Sequence, residues 1–323
     1  MTRGTITTVG LARLAIVLAA LLSAVPAAAQ VDLTGTWTRR AANDNGASNE
    51  PVDLMGIPVS ADGRAKALSY DIAALSATER QCQMYTPWYA LFGPFPLQIV
   101  PVPDPVTQKL VAWRIEGWID RDVTIIWMDG RPRPSEFAPH SHAGFTSGWW
   151  EGDALMAVQT HFKMGDMKRH RAISSDLATL TYRFRRHGDL MTVTGILEDP
   201  AYLAEPWVLT EIFELTSNPQ TFPLTACEPI EELPILHEDP THVPHYLPGQ
   251  NPWINEVTEK YGVPVEAVMG GPETTYPEYR TRLQELLAVV RSFNQGLADP
   301  PTAGGDHRAA RGGRVPGRGR PRE

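Results

Sequence analysis

Residues 178–197 read ATLTYRFRRHGDLMTVTGIL, and this stretch decides the fold. Apolar and polar side chains alternate on both sides of a turn that contains Gly188. Alternation with a period of two is typical of half-buried strands, and a short glycine turn between two such runs is typical of a hairpin. The stretch therefore predicts two antiparallel strands, 178–186 and 190–197.

Alternation within this hairpin also predicts which side chains face a core. Tyr182 and Phe184 share one face, while Arg183 and Arg185 share the other. Further runs with strand character lie at 31–40, 110–119, 123–128, 149–150, 154–162 and 207–215. Short turns between such runs predict an antiparallel meander, which protects its edges by closing into a barrel or by pairing as a sandwich.

The segments around the strands differ in character. Residues 85–109 are aromatic and rich in proline, so we expect extended, irregular chain, with the aromatic cluster 85–95 as a lid over the barrel mouth. Residues 60–82 favour helical turns, with capping-box spacing from Ser76 to Glu79. Prolines open two predicted short helices, 252–261 and 264–269. An apolar stripe predicts an amphipathic helix over 277–294.

Residues 1–29 have the three parts of a secretory signal peptide: basic residues, an apolar run, and small residues before Gln30. We therefore expect Sec-type export to the periplasm or the extracellular space, and no transmembrane segment in the mature chain. The predicted domains are the signal peptide, one β-barrel-like domain with C-terminal helices over 30–300, and a disordered basic tail over 301–323. Because an exported protein meets oxidising conditions, Cys82 and Cys227 are predicted to form a disulfide.

The chain has 323 residues and a formal net charge of −8. Segment 1–29 carries +2 and segment 302–323 carries +4, which leaves −14 for residues 30–301. An acidic body argues against nucleic-acid binding, which needs a basic surface. Phosphate-binding loops, the serine-hydrolase elbow and the helical zinc-protease motif are all missing from the sequence.

Two resemblances follow from short motifs. Gly35-Thr36-Trp37 resembles the G-x-W of lipocalin-like barrels, in which the tryptophan packs across one end. Seven segments together resemble an uncharacterised bacterial family of exported proteins: MDGR (128–131), GWWEGDAL (148–155), THFK (160–163), SDLATLT (175–181), RHGDLMTV (186–193), DPAYLAEPW (199–207) and HYLPGQNP (245–252). The resemblance implies a β-rich, lipocalin-like fold and brings no established activity. The chain departs from the family pattern at 168–171, where an Arg-Asn-Gly turn is usual.

The predicted fold class is thus mainly β, an antiparallel meander closed as a lipocalin-like barrel, with proline-rich loops and a C-terminal helical extension.

Histidines are the first candidates for chemistry. His140 and His142 form an H-x-H pair, whose side chains share one face of an extended segment. With His161 from a nearby strand they would hold a divalent metal such as zinc and leave a position open for water. Alternation places His161 on the face of Leu155, Ala157 and Gln159, so it is also a candidate acid–base residue, together with His170. The alternative is that these histidines bond to backbone or water.

Aromatic and basic side chains are candidates for ligand binding. Trp113 and Trp127 lie in predicted strands and would line an apolar pocket or fill the core. Arg169 and Arg183 would bind an anionic group, unless they belong to a solvated outer face. The favoured function is an exported lipocalin-like protein that binds a small, apolar molecule. The alternatives are a cavity enzyme (lyase, isomerase or hydratase) that uses His161 or the metal, and an interaction module built on 85–109 and the basic tail.

Overall fold

The computed structural model describes residues 31–40, 54–69, 85–93, 96–116, 123–167, 172–217 and 246–295. The strands are β1 (Gly35–Arg39), β2 (Leu97–Pro103), β3 (Leu110–Glu116), β4 (Thr124–Trp127), β5 (Phe145–Glu151), β6 (Ala154–Thr160), β7 (Gly165–Asp166), β8 (Ile173–Ser174), β9 (Thr179–His187), β10 (Leu190–Glu198) and β11 (Trp207–Thr216). The helices are α1 (Ala61–Leu68), α2 (Pro87–Phe92), α3 (Trp253–Tyr261), α4 (Val265–Val268) and α5 (Pro277–Gln295), with a 3₁₀ turn at Pro272–Thr275.

Nine of these strands close into one barrel in the order β1-β11-β10-β9-β6-β5-β4-β3-β2, with β2 paired to β1. Strands β7 and β8 form a separate two-stranded sheet. The predicted fold class, a mainly β chain closed as a lipocalin-like barrel with a C-terminal helical region, is confirmed.

The hairpin that opened the sequence argument forms as predicted. β9 and β10 pair along their whole length around the turn at Gly188. Tyr182 and Phe184 are each 1% exposed inside the barrel, whereas Arg183 and Arg185 lie on the outer face. Burial of the two rings sets the register, because a shift by one residue would place both arginines in the core.

One pair of neighbouring strands, β4 with β5, is parallel, which differs from the all-antiparallel meander that we expected. After β4 the chain turns at Asp129-Gly130, where Asp129 accepts hydrogen bonds from the backbone and side chain of Arg131. Residues 128–144 then return the chain to the end of the barrel from which β4 started. A turn dipeptide predicts that the chain changes direction, but it does not predict where the next strand begins.

The two ends of the barrel differ. We call the end with the turns at Gly152 and Gly188 the base and the opposite end the mouth. Trp37 packs across the base as the G-x-W motif predicts: it is wholly buried, and its Nε1 donates to the backbone oxygen of Leu33 at 3.0 Å. The Arg186 guanidinium lies 5.2 Å from the centre of the Trp37 ring and donates to the backbone oxygen of Asp32. A hydrogen bond from Thr34 lowers the pKa of the Asp32 carboxyl, and the charge of Arg186 adds a smaller lowering effect.

Residues 85–109 contain regular structure where irregular chain was expected. Pro87 begins α2 at the first helical turn, where its missing N–H breaks no hydrogen bond. In β2, buried Leu97 and Ile99 alternate with half-buried neighbours, and Pro103 ends the strand. Proline-rich composition correctly indicates breaks in this segment, because Pro87 begins α2 and Pro103 ends β2. It does not exclude regular structure, since Pro101 lies inside β2 and pairs with Trp113 of β3.

The helical segments gather at the mouth. The backbone N–H of Ser60, which caps α1, donates to the backbone oxygen of Tyr202 at 2.9 Å. Arg64 donates from Nε to the oxygen of Met269 and from Nη2 to that of Gly270, each at 3.0 Å. The predicted C-terminal helices are confirmed, with Pro252 and Pro264 directly before α3 and α4.

Several predictions fall outside the described residues. These are the signal peptide 1–29, the tail 301–323, the capping box from Ser76 to Glu79, the cysteines Cys82 and Cys227, and the basic pair Arg169 and His170. None of the helices in the described ranges has both the length and the apolarity that crossing a membrane requires.

Candidate ligand site in the barrel

A small cavity lies inside the barrel beneath α2. Its lining comes from α2 (Pro87, Leu91), β3 (Ile115), β4 (Thr124, Ile126) and β9 (Tyr182, Phe184). Its volume is about 10 Å³, which is room for one water molecule at most. The described side chains around this cavity therefore leave little free space between them.

Much of the filling near the mouth comes from α2, which we call the plug helix. Trp88 is 1% exposed and packs against Trp207 of β11, with ring centres 4.9 Å apart and ring planes tilted by 40°. Phe92 lies over Gly195 of β10: a Cβ atom at Gly195 would stand 2.5 Å from the Phe92 ring. Glycine at this inward position thus makes the space that the ring occupies. Thr86 ties the start of the plug helix to the backbone oxygen of Asp166.

A row of polar side chains crosses the inner wall at neighbouring strands. The strand registers place Trp113, Ile126, Thr146 and Gln159 opposite one another on β3, β4, β5 and β6. All four are buried, at 4% exposure or less. We call Trp113, Thr146 and Gln159 the polar row.

One member of the polar row is hydrogen-bonded on both sides. The Gln159 side chain donates from Nε2 to the backbone oxygen of Ala143, and its Oε1 accepts from the Tyr182 hydroxyl at 2.6 Å. These bonds fasten the connection 128–144 to the inner wall and fix the orientation of the Gln159 amide.

The other two members lack partners. In the described part of the chain, Nε1 of Trp113 and Oγ1 of Thr146 are buried without a hydrogen bond, as is Nε1 of Trp88 on the plug helix. A buried polar group without a partner costs roughly 1–3 kcal/mol, so such groups are rare in folded proteins. Nε1 of Trp150, on the same strand as Thr146, is a fourth such atom that packs against the barrel core. Trp113 and Thr146 are the two that face the same residue, Ile126.

A buried ion pair stands on the wall opposite the polar row. Arg39 of β1 binds Glu211 of β11 through two hydrogen bonds, Nε to Oε2 at 2.8 Å and Nη2 to Oε1 at 2.6 Å. Their side chains are 9% and 6% exposed. The sequence analysis missed this pair, although alternation within each strand places both residues on the inward face. Arg39 shares the face of Trp37, and Glu211 shares that of Phe213.

The structure brings two of the three predicted metal ligands together. The rings of His140 and His161 lie 5.3 Å apart. Each bonds to the backbone: Nδ1 of His140 lies 3.2 Å from the Phe162 oxygen, and Nε2 of His161 lies 2.9 Å from the Ser135 oxygen. Nδ1 of His161 is also 2.8 Å from the Thr160 hydroxyl. No set of three or more His, Cys, Asp or Glu side chains in the described ranges is arranged to hold a metal ion. The metal site of His140, His142 and His161 stays a prediction.

His161 also departs from the face on which alternation placed it. β6 ends at Thr160, and His161 has a φ of 59°, in the left-handed region. This backbone turn ends the alternation, so the wholly buried aromatic residue is the next one, Phe162. A single non-glycine residue with positive φ is uncommon and has no reliable sequence signal. Its acid–base role stays a prediction.

The predicted ligand-binding residues have different surroundings. Trp113 is in the core and belongs to the polar row. Trp127 is half-buried, and the Arg131 guanidinium lies 3.3 Å from the centre of its ring. The side-chain hydrogen bond from Arg131 lowers the pKa of the Asp129 carboxyl. Arg183 is exposed on the outer face, away from the cavity.

At the mouth, a buried carboxylate organises the loop that joins β10 to β11. Asp199 is 3% exposed and accepts hydrogen bonds from the Ser175 hydroxyl and from the backbone N–H groups of Ser175, Ala201 and Tyr202. Two of the segments quoted for the family resemblance, 175–181 and 199–207, therefore meet at this carboxylate.

The fold and the site define a closed β-barrel protein whose mouth is filled by a short helix. Comparison of the chain with protein-family models, curated proteins and solved structures finds no match. The family resemblance therefore stays a prediction, and function is argued from the barrel itself.

Proposed function

We propose that the protein is an exported carrier that binds one small, mainly apolar molecule inside the barrel, beneath the plug helix. The proposal rests on one observation: the plug helix belongs to a segment that connects strands. The upper part of the interior is filled by a six-residue helix from a connecting segment, not only by side chains of the strands. A connecting segment can move while the strands keep their hydrogen bonds.

The present cavity is too small for such a molecule, so binding requires the plug helix to move. Withdrawal of Trp88, Leu91 and Phe92 would open a space on the order of the few hundred Å³ that small-molecule sites occupy. The wall that remains is largely apolar, with Ile115, Ile126 and Phe184 among its residues. Small barrels with such interiors hold single ligands.

The predicted signal peptide supports the exported location, and the lipocalin-like barrel and the resemblance to a family of exported proteins agree with it. An exported barrel that holds an apolar molecule would keep that molecule soluble between membranes or cells. We assign no reaction to the interior.

The test is a titration of the purified protein with N-phenyl-1-naphthylamine, an apolar dye that fluoresces when it leaves water. We expect a saturable rise in fluorescence. Ile126→Phe fills the cavity from the inner face and should weaken dye binding at least tenfold. The matched control is Ile125→Phe, because Ile125 is the neighbouring residue on the outer face of β4.

An overpacked core costs about 1–3 kcal/mol, so Ile126→Phe needs a partner variant that removes volume. Leu91→Ala shortens the plug helix side chain at the cavity and should tighten dye binding. The proposal is wrong if the wild-type protein shows no saturable binding, or if the variants at 125 and 126 bind equally and Leu91→Ala changes nothing.

A further inference from the structure

We propose that the bound molecule carries a neutral carbonyl-type oxygen, which accepts hydrogen bonds from the Trp113 indole and the Thr146 hydroxyl. This inference rests on the proposed function, since it names the class of ligand that the barrel interior would select. It starts from the two members of the polar row that lack partners.

The two groups lie on one stretch of inner wall. Trp113 of β3 and Thr146 of β5 both face β4 at Ile126, which lines the cavity. Neighbouring strands are about 4.8 Å apart, so roughly 10 Å separates the two backbones. A molecule seated against Ile126 therefore lies between the two polar groups.

The chemistry of the groups restricts what they can bind. An indole N–H only donates, and a hydroxyl can donate as well. The neighbouring amide of Gln159 does not supply the missing acceptor, because Nε1 of Trp113 has no hydrogen-bond partner in the described part of the chain. The ligand atom that faces Trp113 must therefore be an acceptor, and a carbonyl oxygen with two lone pairs can serve both donors.

Charge argues for a neutral acceptor. Burial of a carboxylate or phosphate is costly unless a cation pairs with it. Arg39, a buried cation among the described residues, is already paired with the Glu211 carboxylate through two hydrogen bonds. The wall around Ile126 consists of apolar and neutral residues. A ketone, ester, lactone or amide meets these conditions at lower cost than an anion.

The test compares two ligands of nearly the same shape, 2-acetylnaphthalene and 2-ethylnaphthalene, as competitors of N-phenyl-1-naphthylamine. We expect the ketone to bind the wild-type protein about tenfold more tightly than the hydrocarbon, after correction for their transfer from water. Trp113→Phe removes the N–H and keeps most of the ring, so the preference should fall to about twofold or less. Thr146→Val removes the hydroxyl at nearly constant volume and should reduce the preference as well.

Trp127→Phe is the matched control, because Trp127 lies one residue beyond Ile126 on the opposite face of β4 and stacks with Arg131. It should keep the preference for the ketone.

Equal binding of the two competitors to the wild-type protein overturns the inference and leaves the proposed function standing; a water molecule shared by the two donors would give this result. Equal loss in Trp113→Phe and Trp127→Phe also overturns it. If neither the dye nor either competitor binds, the proposed function is wrong and the inference fails with it.

Discussion

Asp199 shows how much one side chain contributes to the mouth of the barrel. Its carboxylate accepts four hydrogen bonds while it is 3% exposed, and all four donors lie in segments that join strands. Hydrogen bonds to charged groups contribute more than those between neutral groups. Asp199 therefore holds together two connections that strand pairing alone leaves independent.

We expect Asp199→Asn to lower the free energy of unfolding by about 2 kcal/mol, because the new NH₂ group faces N–H donors in place of an acceptor. Urea denaturation monitored by tryptophan fluorescence measures this change. Asp176→Asn is the control, since Asp176 is exposed beside the same connection, and its effect should stay within about 0.5 kcal/mol. Equal effects of the two variants would contradict this role for Asp199.

The position of the plug helix depends on Gly195 of β10. Phe92 and Trp88 occupy the space above Gly195, so any side chain on this residue of β10 competes with the helix. Gly195 has an ordinary strand conformation, and the glycine is required by space rather than by its backbone angles.

We expect Gly195→Ala to destabilise the protein by about 1–3 kcal/mol and to loosen the plug helix, because the new methyl group overlaps the Phe92 ring. Two measurements on one sample check this: the midpoint of urea denaturation, which should fall, and the affinity for N-phenyl-1-naphthylamine, which should rise. Thr192→Ala changes the outer face of the same strand and serves as control. A Gly195→Ala protein as stable as the wild type would show that the helix does not need this space.

At the scale of the whole molecule, the predicted export is open to a direct test. When the full chain is expressed in a bacterium with a Sec pathway, we expect a periplasmic protein that begins at Gln30. Its intact mass should be lower by two hydrogen atoms because Cys82 and Cys227 are joined, and iodoacetamide should label it only after reduction. Retention of residues 1–29, or labelling without reductant, would contradict the corresponding part of the prediction.

The fold was largely predictable because its signals are local. Alternation at Tyr182 and Phe184 predicts both the strand and its buried face, and glycine turns predict the hairpins. The plug helix was missed because α2 has six residues, too few for helical periodicity to appear. The parallel pair β4–β5 was missed because the sequence near Asp129 does not predict at which end of the barrel the following connection ends.

The candidate site was predictable only in part, since it depends on register between strands distant in sequence. Trp113 was identified as a single aromatic residue, whereas its alignment with Thr146 appears only once β3, β4 and β5 are assembled. The histidines formed the stronger sequence pattern, but a positive φ at His161 and bonds to backbone oxygens give them other partners.

The parallel pair β4–β5 has a consequence for how the barrel assembles. Its register contains two residue pairs, against nine between β9 and β10. The run β5, β6, β9, β10 and β11 consists of antiparallel neighbours, and two of its connections are tight hairpins that form early because their loops are short. β4 can pair with β5 only after residues 128–144 have returned the chain to the end of the barrel from which β4 started. We therefore expect this pair to form late in folding and to exchange its amide hydrogens early in the native state, so that the barrel opens first along its side.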